Sequence, residues 1–124
     1  MNFMKAKVEE RDGRVTLVSP NVTLPLDGDI AGKVRALGLG RELLLGIRPE
    51  DVSMEPKTPD AEAEVYVSEP LGRDQLFDLR VGTTQMRALG ASTLQAAIGS
   101  KVPIAFDRSK IHLFDVQSEQ SLLN

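Results

Sequence analysis

The stretch MKAKVEERDGRVTLV, at residues 4–18, decides the fold class of this chain. Apolar and charged side chains alternate through its first six residues, which is the period of a half-buried β-strand. Arg11-Asp12-Gly13 interrupts the alternation, and Asp-Gly favours the positive backbone angles of a tight turn between strands. Residues 14–18 then resume the strand pattern. The stretch therefore predicts a β-hairpin.

The same pattern recurs along the chain in short segments separated by glycine or proline. The further predicted strands are 22–24, 43–48, 62–68, 74–81, 84–89, 101–106 and 111–114. In the segment 62–68, strict alternation places Ala63, Val65 and Val67 together on the buried face. Many short strands with turn residues between them predict an all-β barrel or sandwich.

A few segments do not fit the strand pattern. Residues 27–41 contain four glycines, so we expect no more than a helical turn at 34–37, with a second one at 94–98. Residues 55–60 contain two prolines and predict an internal boundary. The tail from Gln117 is polar, and we expect it to fray.

Composition excludes several classes of function. The 124 residues carry 15 basic and 18 acidic side chains, interspersed, with a formal net charge of −3. A nucleic-acid-binding surface needs concentrated positive charge, and the scattered phenylalanines and one tyrosine make no base-stacking platform. Cysteine is absent, which excludes disulfides and cysteine-ligated zinc. No apolar run approaches the roughly 20 residues of a membrane span.

No known catalytic motif is present. The chain lacks a phosphate-binding loop, a dinucleotide fingerprint and a nucleophile elbow. Its one histidine, His112, is expected at the surface, because alternation places it opposite its apolar neighbours. The paired carboxylates Glu62 and Glu64 are expected on a solvated strand face. Asp27 and Asp29 match only the opening of a calcium loop, so no catalytic, cofactor or metal site is predicted.

Four segments carry a resemblance to a known family. They are MNFM at 1–4, LGIRPEDV at 45–52, EPLGRD at 69–74, and AFD with IHLFD at 105–107 and 111–115. In this order and spacing they resemble the C-terminal regulatory domain, called the TOBE domain, of ATP-binding subunits from maltose-type sugar ABC importers. The resemblance covers residues 1 to about 115.

The resemblance implies a fold and a domain organisation. Its fold is a small OB-like barrel or β-sandwich of about nine to ten short strands. We expect a regulatory domain at 1–116, with the boundary near 55–60 inside it, and a polar tail at 117–124. The nucleotide-binding domain of the family, which binds ATP and Mg²⁺, is absent, so this chain is expected to hydrolyse no ATP and to hold no cofactor. An excised domain is the simplest account, and a free-standing regulatory protein is the other.

The resemblance also implies a role and partners. In such importers two ATPase subunits close on ATP like tongs, and the regulatory domains hold the pair together while the nucleotide domains part. The implied partners are a second ATPase subunit, the permease subunits through the full-length subunit, and a cytoplasmic regulatory protein, with no nucleic acid. The implied location is the cytoplasmic face of the membrane.

Four residues within the matching segments are candidates for the docking surface: Phe3, Arg48, Glu69 and Gly72. Each also has a structural explanation. We expect Phe3 to anchor the first strand in the core, Arg48 to pair with Glu50 or Glu69, and Gly72 to supply a positive backbone angle in a turn.

The alternative function is that of a sensor for a small, molybdate-like oxyanion. TOBE-type barrels of molybdate systems bind oxyanions through backbone amides with Ser, Thr or Lys groups, and Ser92-Thr93 with Ser100-Lys101 could supply such donors.

Overall fold

The computed structural model describes residues 1–123, which form ten β-strands, one α-helix and two 3₁₀ turns. The strands are β1 (Asn2–Arg11), β2 (Arg14–Ser19), β3 (Val22–Pro25), β4 (Glu42–Ile47), β5 (Val52–Ser53), β6 (Ala61–Leu71), β7 (Asp74–Val81), β8 (Thr84–Ala91), β9 (Lys101–Phe106) and β10 (His112–Phe114). The helix is α1 (Gly28–Leu37), and the 3₁₀ turns are Pro49–Asp51 and Arg108–Lys110.

The strands form two antiparallel five-stranded sheets. The first sheet has the order β10-β4-β1-β2-β3, and the second has the order β5-β9-β6-β7-β8. Buried apolar side chains from both sheets form one cluster, which includes Leu17, Leu45, Phe77 and Leu79. This confirms the predicted all-β class of barrel or sandwich.

The hairpin predicted at residues 4–18 is present. Arg11 pairs with Arg14 across a two-residue loop, and its central residues Asp12 and Gly13 have φ angles of 52° and 77°. Two positive φ angles in succession give the turn whose twist matches that of the flanking strands. The Asp-Gly pair thus sets the register of β1 on β2, which in turn sets the outward face of the first sheet.

A β-bulge in β6 overturns one predicted burial. Val65 pairs with Leu79 but Val67 pairs with Asp78, so Tyr66 is an extra residue in the strand. The extra residue reverses the side-chain alternation beyond it. Ala63 and Val65 are buried as predicted, but Val67 lies on the outer face with 41% of its surface exposed.

The helix is longer than the sequence predicted. It runs over ten residues from Gly28, and only its last turn matches the expected 34–37. Val34 is fully buried, with Ile30 and Leu37 packed against the core beside it, one helical turn apart on each side. This apolar stripe outweighs the roughly 1 kcal/mol cost of a glycine in a helix interior. The helix ends at Gly38, where φ is 111°.

Two other local predictions are wrong. Residues 94–98 are not helical; the side-chain amide of Gln75 binds this loop by donating to the carbonyls of Ala91, Ser92 and Leu94. The tail does not fray over residues 117–123, because Leu122 N donates to Leu113 O at 2.8 Å. Asn124 lies outside the described residues.

Candidate functional site

An exposed apolar cluster lies on the outward face of the first sheet. Its members, called the aromatic patch below, are Met1, Phe3, Leu44, His112 and Phe114. Register explains their meeting, because Phe3 on β1 and His112 on β10 are both partners of Gly46 on the strand between them. Alternation points the side chains of Phe3, Leu44, His112 and Phe114 away from the core, where they are half-buried or exposed.

Gly46 forms the floor of the aromatic patch. A methyl group at this position would lie 2.7 Å from Met1 Sδ, 3.1 Å from Phe114 Cε2 and 3.3 Å from Phe3 Cε1. The missing side chain therefore lets the two rings settle over the backbone of β4. Their centroids lie 5.9 Å apart in an edge-to-face arrangement, the geometry that aromatic pairs favour.

The aromatic patch remains open to solvent. Phe3 is 50% exposed and Met1 is 45% exposed. The imidazole of His112 stacks on the ring of Phe114 at 6.2 Å, and Phe3, Leu44 and Phe114 line a hollow of 300 Å³. Contiguous exposed apolar surface of this kind marks interaction sites in soluble proteins.

The four predicted docking residues do not form one site. Phe3 belongs to the aromatic patch, so the expectation that it anchors β1 in the core is wrong: alternation buries Asn2 and Met4 instead. Arg48 follows Ile47, the register partner of Asn2, and therefore lies at the Met1 end of the patch. Glu69 and Gly72 lie on the second sheet, at the tip of the β6–β7 hairpin. Their role in docking stays a prediction.

Of the structural explanations for the other residues, one is confirmed and one is wrong. Gly72 has a φ angle of 83°, which confirms the expected turn. The predicted ion pair of Arg48 with Glu50 or Glu69 is wrong, because within residues 1–123 the carboxylates of those two residues lie beyond 4.0 Å. The 3₁₀ turn at Pro49–Asp51 carries Glu50 towards a different hollow, beside Met54 and Leu89.

Sequence reasoning missed Leu44 and Phe114 as functional candidates. Leu44 shares a strand face with Glu42 and Phe114 shares one with His112, so alternation alone could have placed them at the surface. Their meeting with Phe3 depends on β1, β4 and β10 being neighbours. The order of strands in a sheet is a property of the tertiary structure, and no local sequence pattern indicates it.

A separate cluster, which is polar, joins the two sheets and is called the Asp60–Arg108 clasp below. The two N–H groups at the end of the Arg108 side chain donate to both carboxylate oxygens of Asp60, with Nη2 to Oδ1 at 2.7 Å. Arg108 also donates to the carbonyls of Pro25 on β3 and Phe106 on β9, while Asp60 accepts from Phe106 N at 2.8 Å. The Asp60 side chain is only 6% exposed, so this charge depends on its partner.

The remaining carboxylates lie at the surface. Glu62 and Glu64 are exposed, and Glu62 faces Lys101 at 3.8 Å. Hydrogen bonds from the hydroxyl and amide of Ser109 lower the pKa of Asp107. The amide and hydroxyl of Ser118 lower the pKa of Asp115 in the same way. Within residues 1–123, no three potential ligands among Asp, Glu and His come close enough to hold a metal ion.

Several of the donors named for the oxyanion alternative already have partners inside the protein. Ser92 N donates to Arg73 O at 2.9 Å. Ser100 donates to Ala97 O through both its amide and its hydroxyl. No contact thus favours this alternative, which stays a prediction. In the part of the chain that the structure describes, no helix is both long and apolar enough to cross a membrane.

Two family models match the chain. Residues 1–52 match the MalK OB fold domain, and residues 45–114 match the TOBE domain. The second match covers more than half of the chain.

Curated relatives match over nearly the whole chain. It is 30% identical to the oligosaccharides import ATP-binding protein MsmX of Bacillus subtilis, over 96% of this chain and 33% of that protein. It is 32% identical to the sulfoquinovosyl glycerol transport ATP-binding protein SmoE of Agrobacterium fabrum, over 98% and 33%. The identity with the sn-glycerol-3-phosphate import ATP-binding protein UgpC of Burkholderia pseudomallei is 31%, over 93% and 31%. The chain thus spans about a third of the length of these relatives.

A solved structure shares the fold. The cytoplasmic molybdate-binding protein ModG aligns with a TM-score of 0.66 over 90% of this chain and 94% of that one, at 12% identity. At this identity the likeness supports the fold alone.

Proposed function

Since the chain belongs to the TOBE domain family, with a MalK-type OB fold in its first half, we propose that it is the C-terminal regulatory and dimerisation domain of a carbohydrate-type ABC importer's ATP-binding subunit. It performs no catalysis itself; it holds two ATPase subunits together and offers a docking surface for regulators. The names of the relatives, all import or transport ATP-binding proteins, support this role.

The remaining two-thirds of such a subunit supply the chemistry of transport. ATP and Mg²⁺ bind there, and contact with the permease subunits runs through the full-length subunit. The domain itself works at the cytoplasmic face of the membrane as part of the transporter. The relatives import oligosaccharides, a sulfoquinovosyl glycerol and sn-glycerol-3-phosphate, so the solute of this transporter is a carbohydrate or polyol derivative.

The observation that carries the pairing role is the aromatic patch. Its apolar side chains lie at the surface of a sheet, among them Phe3, Phe114 and Leu44. Contact of apolar surface with water is unfavourable, and burial against a partner would remove that contact. Phenylalanine and methionine are enriched where proteins associate. A stable interface involves about 20–30 residues on each side, and the patch has five, so pairing of this chain alone is expected to be weak and concentration-dependent.

Light scattering across a concentration series tests the pairing role. The wild-type chain is expected to shift from monomer to dimer, and Phe3→Ser is expected to abolish the shift. Leu39→Ser is the matched control, because Leu39 is an apolar residue of nearly equal exposure, 52% against 50%, outside the patch. A wild-type chain that stays monomeric at millimolar concentration, or equal loss in both variants, contradicts pairing through the patch.

A further inference from the structure

We propose that a cleft on the outer face of the second sheet binds a small organic anion that carries an apolar or aromatic group. The cleft has a volume of 450 Å³ and lies between the start of β1 and the strands β6, β7 and β8. Its floor holds Asp78, Arg80, Gln85 and Arg87, and its walls are Tyr66 on one side and Met1 with Phe3 on the other. A volume in this range suits a small ligand.

Arg80 is the principal anion-binding group. Its guanidinium carbon lies 4.9 Å from the centroid of the Tyr66 ring, and within residues 1–123 no carboxylate comes within 4.0 Å of its nitrogens. Stacking on a ring fixes the plane of a guanidinium while leaving its N–H edges available. A planar arginine of this kind suits carboxylate, phosphate or sulfonate groups.

This arrangement lies at the bulge in β6. Tyr66 is the extra residue between Val65 and Val67, while Arg80 has Glu64 as its register partner. A regular strand would give the tyrosine a register partner of its own on β7. In the bulge the tyrosine has no register partner, and its ring lies against the arginine; bulges are frequent next to functional sites.

Arg87 adds a second cation to the floor. Its Nε lies 2.9 Å from Asp78 Oδ1 in an ion pair, and the side chain remains 61% exposed. Among the residues that line this cleft, one carboxylate faces two guanidinium groups, so the lining has a net positive charge although the whole chain carries −3. Glu64, the register partner of Arg80, adds one negative charge beside it. A positive cleft on an acidic protein selects anions locally.

The cleft is held open by hydrogen bonds at the edge of β8. The side-chain amide of Asn2 donates to Arg87 O and accepts from Arg87 N, both at 2.7 Å. This amide pairs with the backbone as a neighbouring strand would, so it fixes Met1 and Phe3 beside the floor. The apolar wall is thus set in place before a ligand arrives, and it favours an anion with an apolar portion over a bare inorganic one.

Nuclear magnetic resonance titration of the ¹⁵N-labelled chain tests the proposal, with phenyl phosphate as the probe. Saturable shifts are expected for the Arg80 Nε–H signal and for the amides of Gln85 and Arg87. Inorganic phosphate is expected to bind more weakly at the same signals, and phenol not to bind. Arg80→Gln should weaken binding about tenfold, the loss typical of a hydrogen bond to a charged group.

Arg73→Gln is the matched control. Arg73 is an exposed arginine in the β6–β7 turn, outside the cleft, and its replacement should leave the affinity unchanged. Equal weakening by both variants, or shifts that never saturate, would overturn the proposal as non-specific attraction. Binding of an acidic peptide at these signals without binding of phenyl phosphate would also overturn it, in favour of a protein partner. Met1 and Phe3 belong both to the cleft and to the aromatic patch, so the titration is run at a concentration at which light scattering shows a monomer.

Discussion

The aromatic patch and the Asp60–Arg108 clasp are both clusters of side chains brought together by strands distant in sequence, but they differ in exposure. The clasp is enclosed, with the Asp60 side chain 6% exposed and bonded on both oxygens. The patch is open, with Phe3 half in solvent. Removing the partner of a buried charge destabilises the folded state strongly. An exposed ring contributes little to folding, and its burial becomes favourable only when a second molecule covers it. Substitutions should therefore change stability at the clasp and association at the patch.

The largest effect on stability is expected at the clasp. Asp60→Ala leaves Arg108 without its carboxylate and Phe106 N without its acceptor, and should lower the free energy of unfolding by about 3 kcal/mol. Urea denaturation measures the loss. Asp27→Ala is the control, because its pair with Arg14 is exposed and should contribute at most about 1 kcal/mol. Equal losses in the two variants would show that the clasp is no more important than a surface pair.

An intermediate effect is expected beneath the patch. Gly46→Ala adds a methyl group against Met1 Sδ and the two rings. Because the methionine tip can move, we expect a loss of about 1 kcal/mol, the lower end for overpacking, together with weaker self-association. Gly32→Ala, where nothing lies within 4 Å, should instead stabilise helix α1 by about 0.5–1 kcal/mol. If Gly46→Ala also stabilises the chain, the rings are not held over β4 as described.

Local sequence signals predicted most of the strands. Alternation and the Asp12-Gly13 turn located the first hairpin, and Gly72 located the turn at the tip of β6 and β7. The failures occurred where local rules compete. The bulge at Tyr66 reversed the alternation at Val67, and the apolar stripe of α1 outweighed its glycines.

The candidate site was less predictable than the fold. Phe3 was selected from a resemblance, and the structure changes its place from the core to the surface. Its neighbours Leu44 and Phe114 come from strands about 40 and 110 residues further on, and only the sheet order brings them together. The clasp could not be predicted from the sequence either, because the boundary segment that contains Asp60 has no periodicity that would relate it to Arg108.

The smallest effect on stability is expected at Glu69, which lies outside both clusters. Glu69→Lys changes an exposed side chain near the hairpin tip, so the unfolding free energy should change by less than about 0.5 kcal/mol, or about 2 °C in melting temperature. If Glu69 belongs to a docking surface, the variant should associate more weakly in light scattering.

The change in net charge helps to distinguish a specific contact of Glu69 from a general electrostatic effect. The substitution changes the net charge from −3 to −1, and lower net charge by itself favours association. Weaker association of Glu69→Lys therefore requires a specific contact. Glu62→Lys makes the same charge change at another exposed position of the same strand, where Glu62 faces Lys101 at 3.8 Å, and should not weaken pairing. If the two variants associate alike, Glu69 has no part in pairing; a large fall in the melting temperature of Glu69→Lys would show instead that the residue supports the fold.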